Sequence, residues 1–150
     1  MREAIRLAED NVRQGLGGPF GAVVVKGGEI IGRGANRVTS CNDPTAHAEV
    51  NAIREACGRV NDFRLAGCAI YTNSEPCPMC LAAIYWARIE RVYYANTRDD
   101  AAAIGFDDEF FYREVSASPA DRRIPMRQLM RPEAQRAFED WRNKPDKIRY

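Results

Sequence analysis

The sequence is poor in histidine, in net charge and in long apolar runs, and each shortage argues against a class of protein. Its 150 residues contain one histidine and carry a formal net charge of +1. No apolar run approaches the roughly 20 residues that a helix needs to cross a bilayer, and the charged first segment does not fit a signal peptide. Nucleic-acid binders usually carry a clustered basic surplus. We therefore expect one cytoplasmic domain, residues 1–150, that binds a small molecule and not nucleic acid or membrane.

The five cysteines do not form a recognisable disulfide framework, because their number is odd and no secretion signal precedes them. Cys41, Cys57 and Cys68 stand alone in the sequence, and we interpret them as small, partly buried hydrophobic residues. Cys77 and Cys80 form a C-x-x-C pair, which requires an explanation of its own.

Apolar periodicity predicts helices that alternate with strands. In order, the predicted elements are a helix with Ile5, Ala8, Val12 and Leu16 on one face, a β-hairpin that turns at Gly27-Gly28, a helix from the N-cap Asp43 to about Val60, a strand at 68–72, a helix at about 78–88, a strand at 91–95, a strand near 125–130 and a last helix from Pro132. Such alternation implies a largely parallel or mixed sheet that is covered on both faces.

The single histidine and the cysteine pair have the spacing of a metal site. His47 lies in the first turn of the second predicted helix, and Cys77 and Cys80 lie at the start of the third. Residues at i and i+3 share a helix face, and a helix N-terminus favours thiolate over thiol. Two thiolates and an imidazole suit zinc and leave a fourth position open, as in catalytic sites.

Two other interpretations of the cysteine pair are weaker. A redox pair normally follows the first strand of a thioredoxin-like unit, whereas this pair lies past the middle of the chain. A closed structural zinc site needs a fourth ligand, and the sequence has no second histidine.

Glu49 lies two residues after His47, about 200° around an ideal helix, so it should not bind the same metal. Near the start of the helix, its carboxylate can take a proton from a zinc-activated water and deliver it to a substrate. The alternative is an ordinary acid in a first turn, where the helix dipole favours negative charge.

Two segments carry a family resemblance. "TAHAEVNAIR" and "EPCPMCLAAIYWAR" resemble the cytidine-deaminase superfamily, whose zinc deaminases share an H-x-E…P-C-x-x-C pattern. Further segments, "GGPFGAVVVKGGEIIGRGANRV", "SEPCPMC" and "IGFDDEFFYREV", with a terminal tyrosine, resemble more closely the bacterial guanine deaminases over nearly the whole chain. Ser74, before the Glu-Pro pair, departs from the pattern of these enzymes.

The resemblance implies a three-layer α/β/α fold around a central five-stranded mixed sheet, one zinc ion per chain, and a homodimer that exchanges C-terminal segments. It also implies substrate contacts, in which Asn36 bonds the polar edge of a purine, Phe20 packs on the ring and Trp86 lines the pocket. Asp108 would contact purine N–H groups or assist proton movement; the remaining contacts would be Ala48 and Tyr150. From the residues alone, Asn36 is equally a turn residue, Phe20 a core residue and Asp107 or Asp108 an N-cap.

The function that these expectations favour is hydrolytic deamination of free guanine to xanthine and ammonia, with Glu49 as the proton shuttle. The alternatives are a deaminase of guanosine, an aminotriazine, cytosine or tRNA adenosine, or a non-catalytic zinc-binding regulatory module. The near-neutral charge disfavours tRNA. A mere binding module would not need the carboxylate of Glu49.

Overall fold

The computed structural model describes residues 1–149. In that range it has seven helices and four strands: α1 Arg2–Arg13, β1 Gly21–Lys26, β2 Glu29–Ala35, α2 Val38–Cys41, α3 Ala48–Val60, β3 Cys68–Ser74, α4 Pro78–Trp86, β4 Arg91–Asn96, α5 Arg98–Ala103, α6 Glu109–Ser116 and α7 Arg131–Asn143. None of the helices described has the length and apolar character needed to span a membrane. The chain divides into two compact units, Met1–Phe110 and Phe111–Tyr150, so a single domain stays a prediction.

The first unit is built on a mixed sheet with the strand order β2-β1-β3-β4. Strand β1 pairs antiparallel with both β2 and β3, and β3 pairs parallel with β4. The predicted hairpin is confirmed. Its turn residues Gly27 and Gly28 have φ values of 56° and 88°, a left-handed conformation that glycine adopts without steric cost.

Helices cover both faces of this sheet, and glycines in the strands let them approach closely. A Cβ atom on Gly21 would lie 2.2 Å from the carbonyl oxygen of Ala4 in α1, and one on Gly34 would lie 2.0 Å from that of Ala48 in α3. Gly34 pairs with Ala22, the neighbour of Gly21, so the two glycines face opposite sides of the sheet. The predicted α/β class with a mixed sheet is confirmed.

The face of α1 that packs on the sheet differs from the predicted one. Ile5 and Val12 are 37% and 55% exposed, whereas Ala4, Ala8 and Asn11 are buried. The close approach to the sheet admits only small side chains on the buried face. Helical spacing alone does not reveal that distance.

The start of the second long helix also differs. Asp43 was predicted as its N-cap, but its Oδ1 accepts hydrogen bonds from the backbone N–H and the hydroxyl of Thr45, at 2.8 and 2.7 Å. This local turn competes with helix formation. Helix α3 begins at Ala48, and His47 is its N-cap in an extended conformation. The histidine therefore lies one position before the first turn and not, as predicted, in it.

The second unit, of which residues 111–149 are described, has no buried residue in that range. Residues 125–130 form neither helix nor strand, so the strand predicted there is absent and the sheet described has four strands, not five. A strand needs a neighbour for its backbone hydrogen bonds. The exposed large apolar side chains of this range are Phe111, Val115, Ile124, Met126, Leu129, Met130, Phe138, Trp141 and Ile148.

Candidate active site

Three potential metal ligands meet at the N-termini of α3 and α4. His47 Nδ1 lies 3.6 Å from Cys77 Sγ and 3.4 Å from Cys80 Sγ, and the three ligand atoms all lie within 4.8 Å of one another. A tetrahedral zinc ion with Zn–N near 2.0 Å and Zn–S near 2.3 Å spaces such ligands by about 3.6 Å. The cluster can therefore hold one zinc ion with little rearrangement and a fourth position left over.

Local sequence brings the cysteines to this point. Strand β3 leads the chain to Cys77, the N-cap of α4, and Pro78 occupies the first turn, where its fixed φ suits a helix and its missing N–H is not needed. Cys80 follows in the same turn and is fully buried. The free N–H groups of the first turn favour negative charge on the two sulfurs.

The pKa values of the two thiols are shifted in opposite directions. A hydrogen bond from Cys80 lowers the pKa of Cys77 to about 4, and the same bond, together with burial, raises the pKa of Cys80. The hydrogen bond to Cys77 raises the pKa of His47. A cation that binds here would replace these protons, since zinc coordinates the thiolate and the neutral imidazole.

Glu49 lies beside the cluster but outside the group of ligand atoms. It is in the first turn of α3, only 6% exposed, and its Oε2 is 3.4 Å from Cys80 Sγ. Burial raises the pKa of its carboxyl group. A raised pKa brings a carboxyl group closer to the range in which a general acid–base works.

Asn36 follows β2 and is 6% exposed. Its Oδ1 accepts hydrogen bonds from the backbone N–H groups of Gly18 and Val38, both at 3.2 Å. Its Nδ2 has no hydrogen-bond partner within residues 1–149, so the amide has a donor to offer a ligand.

Phe20 packs edge-on against Phe106, with ring centroids 4.9 Å apart. The side chain of Asn73 holds the backbone on both sides of Phe20. It donates to the carbonyl of Pro19 at 2.9 Å and accepts from the N–H of Gly21 at 2.8 Å. Asn73 was not predicted from the sequence. The available signal was its strand position, where asparagine is unfavourable unless its side chain has partners.

The other predicted substrate contacts lie in different settings. Burial and the negative charge of Cys77 raise the pKa of Asp108, which places it within electrostatic reach of the cluster. Trp86 ends α4 and is 62% exposed. Ala48 is fully buried, so its methyl group cannot touch a ligand, and only its backbone could. Tyr150 lies outside the described residues.

A mixed α/β sheet with a His-Cys-Cys cluster at two helix N-termini and a glutamate beside it defines a zinc-dependent hydrolytic deaminase. Residues 1–96 match the family described as the cytidine and deoxycytidylate deaminase zinc-binding region. The chain belongs to the cytidine and deoxycytidylate deaminase family.

Individual relatives are similar over different lengths. Guanine deaminase of Bacillus subtilis is 51% identical over 150 residues, which cover 100% of this chain and 96% of that protein. An X-ray structure of guanine deaminase from Bacillus subtilis matches with a TM-score of 0.96 and covers 99% of this chain and 95% of that one. The tRNA-specific adenosine deaminase of Aquifex aeolicus is 51% identical over 77 residues, 51% of each protein.

Proposed function

We propose that this protein is a zinc-dependent hydrolase that converts free guanine to xanthine and ammonia. The observation that carries the proposal is the full-length similarity to a guanine deaminase, at 51% identity and a TM-score of 0.96. The Aquifex aeolicus tRNA deaminase is similar over 77 residues, 51% of each protein. A small purine base is therefore favoured over a tRNA substrate.

The recognition residues suit guanine. Its polar edge presents the O6 acceptor beside an N1–H donor, whereas adenine presents an amine donor beside an acceptor. In Asn36 the Oδ1 atom is already used by two backbone N–H groups, so the amide can only donate to a base. Guanine O6 accepts that bond; adenine would leave two donors opposed, a mismatch that a desolvated site rejects strongly.

His47, Cys77 and Cys80 would hold the zinc ion, which when bound acts as a Lewis acid that makes water a nucleophile near neutral pH. Glu49 would accept a proton from the attacking water and deliver it to a ring nitrogen, and would then accept the proton of the added hydroxyl group and deliver it to the amine that leaves C2. Phe20 packs on the ring of the base. Asp108 contacts its N–H groups, and Trp86 and Tyr150 line the pocket.

We also infer a three-layer α/β/α fold and a homodimer with exchanged C-terminal segments. Two observations support the homodimer: residues 111–149 expose nine large apolar side chains, and β4 is an edge strand whose Tyr93 and Tyr94 are 43% and 50% exposed. Many exposed large apolar side chains are typical of a surface that a partner covers.

The dimer is tested by deleting residues 147–150, which should reduce guanine turnover severely and leave zinc content and thermal stability almost unchanged. Mixing truncated chains with inactive Glu49→Ala chains should restore some activity if the tails are exchanged. Full activity of the truncated protein would show that Tyr150 does not contribute to the site.

A cytoplasmic location is part of the same proposal. All five cysteines are free thiols, and the site needs Cys77 and Cys80 reduced, which a reducing compartment maintains. Cell fractionation with an antibody against the protein tests it; recovery in an oxidising compartment would contradict it.

The function itself is tested by ammonia release from a panel of guanine, guanosine, adenine, adenosine, cytosine and an aminotriazine, with a Glu49→Gln protein as the blank. Guanine should be the best substrate, and Asn36→Ala should weaken its turnover markedly. Faster release from cytosine or adenosine would refute the assignment. A zinc-loaded protein without turnover on any of them would favour the regulatory module.

A further inference from the structure

A buried asparagine in α1 is hydrogen-bonded to the backbone of Asn36, the proposed recognition residue. Asn11 is 2% exposed. Its Nδ2 donates to the carbonyl oxygens of Gly18 and Asn36, each at 2.8 Å, and its Oδ1 accepts a hydrogen bond from the guanidinium of Arg37. Both hydrogens of the amide and its oxygen are therefore in use, with partners 7, 25 and 26 residues away in the sequence.

Two sets of hydrogen bonds connect Gly18 with Asn36, one through the side chain of Asn11 and one through the side chain of Asn36. Asn11 binds both carbonyl groups, and Asn36 Oδ1 binds the N–H of Gly18 and that of Val38. A rotation of the Asn36 amide by 180° would set its NH₂ group against two N–H donors and lose both bonds. The network therefore keeps the oxygen inward and leaves the donor for the ligand.

The surroundings leave the Asn36 backbone little freedom. A Cβ atom on Gly17 would lie 2.3 Å from the Asn36 carbonyl oxygen and 2.9 Å from its Oδ1. The backbone at Gly17 is therefore in direct contact with Asn36. On the other side, the N–H of Arg37 donates to the carbonyl of Ala46 at 2.8 Å, next to His47. The recognition amide is thus positioned between α1 and the loop that carries a metal ligand.

We propose that Asn11 is a positioning residue for base specificity. It acts through Asn36, because it fixes the backbone that carries the free Nδ2 group of that residue. The inference rests on the proposed function, because Asn36 is there assigned to the base. Asn11 itself has no direct part in the chemistry. Its loss should weaken base binding and discrimination while the metal cluster and the proton shuttle remain intact.

The test compares Asn11→Ala with the wild type in zinc content, thermal midpoint, kcat and KM for guanine. We expect KM to rise roughly tenfold, the effect of about one good hydrogen bond, with kcat within about threefold and zinc unchanged. Asn11→Ser, which keeps one donor, should give a smaller rise and serves as the second variant if Asn11→Ala does not fold. Unchanged KM in the folded variants would overturn the proposal.

A double-mutant cycle separates positioning from a general loss of stability. In an Asn36→Ala background, Asn11→Ala should raise KM no further, because the residue through which it acts is gone; a full additional rise would overturn the proposal. Ala56→Gly, at a buried position of α3 outside the network, is the matched control: it should lower the thermal midpoint and leave KM unchanged.

Failure of the proposed function gives a different result. If the wild type does not deaminate guanine, that assignment fails, and the same cycle is measured on the base that the wild type turns over fastest. If it turns over none, the dissociation constant of guanine replaces KM. In either case an unchanged constant in Asn11→Ala overturns the role of Asn11.

Discussion

The two sides of the candidate site are built in different ways. The metal side, His47, Glu49, Cys77 and Cys80, comes from the N-caps and first turns of two helices, and each member lies two or three residues from another. The recognition side, Phe20 and Asn36, is held by the side chains of Asn11 and Asn73, through hydrogen bonds that span between 7 and 54 residues. Local geometry sets the spacing within each pair of the metal side, whereas the recognition side depends on tertiary hydrogen bonds throughout. Changes on the two sides should therefore have separable effects.

The largest effect is expected from Cys80→Ser on the metal side. Cys80 is fully buried and its sulfur lies 3.4 Å from His47 Nδ1, so the variant should lose zinc and fall to background activity. Metal analysis and ammonia release measure both. Cys41→Ser, at an exposed cysteine, is the matched control and should retain both. A Cys80→Ser protein with full zinc and normal turnover would show that the cluster is not the metal site.

Glu49→Gln should keep zinc and lose turnover by roughly 10²–10⁴-fold, since the amide has nearly the same shape but cannot shuttle a proton. Metal analysis and single-turnover kinetics with guanine check this. The thermal midpoint should not fall, because a neutral amide replaces a carboxyl whose burial is unfavourable when charged. Near-normal activity in this variant would contradict the assigned role of Glu49.

How much the sequence could predict follows the same division. The hairpin, the long helices and the short spacings within His47–Glu49 and Cys77–Cys80 depend on neighbouring residues, and the sequence predicted them. His47 and the two cysteines are 30 and 33 residues apart, and the structure brings them together as the resemblance implied. The buried face of α1 could not be predicted, because it depends on how closely the helix approaches Gly21. The prediction of a strand near 125–130 was wrong, because the sequence of a segment does not show whether a neighbouring strand is there to pair with it.

The recognition side was accessible mainly by resemblance. Asn36 is compatible with a turn on local grounds, and the role proposed for it depends on the hydrogen bonds from Gly18 and Val38. Asn11 and Asn73 carried only a weak signal, since asparagine is a poor residue in helix and strand interiors. Where such a residue is buried, its partners explain it, and those partners are far away in the sequence.

A smaller effect is expected from Gly17→Ala on the recognition side. The added methyl group would meet the Asn36 carbonyl oxygen at 2.3 Å, so the backbone must shift, and KM for guanine should rise about tenfold with zinc unchanged. Gly58→Ala is the matched control: a Cβ atom there meets nothing within 4 Å, so it should leave KM unchanged and stabilise α3 by about 0.5–1 kcal/mol. Zinc loss in Gly17→Ala would break the separation of the two sides.

The smallest effect concerns the strand that links the two sides, since β3 carries Asn73 and leads to Cys77. Thr72 in this strand is 1% exposed, and its Oγ1 has no hydrogen-bond partner among the residues described. A buried hydroxyl without a partner is unfavourable.

Thr72→Val replaces this hydroxyl with a methyl group of similar size and should raise the free energy of unfolding by about 1 kcal/mol. Denaturant unfolding measures the change, and Thr72→Ala, which also removes the methyl group, should be less stable than the valine variant. Zinc content and KM should stay unchanged in Thr72→Val, because the backbone bonds of β3 to β1 and β4 remain. A loss of stability would mean that the hydroxyl has a partner in solution, such as a buried water, and a change in KM or zinc would mean that the shared strand couples the two sides.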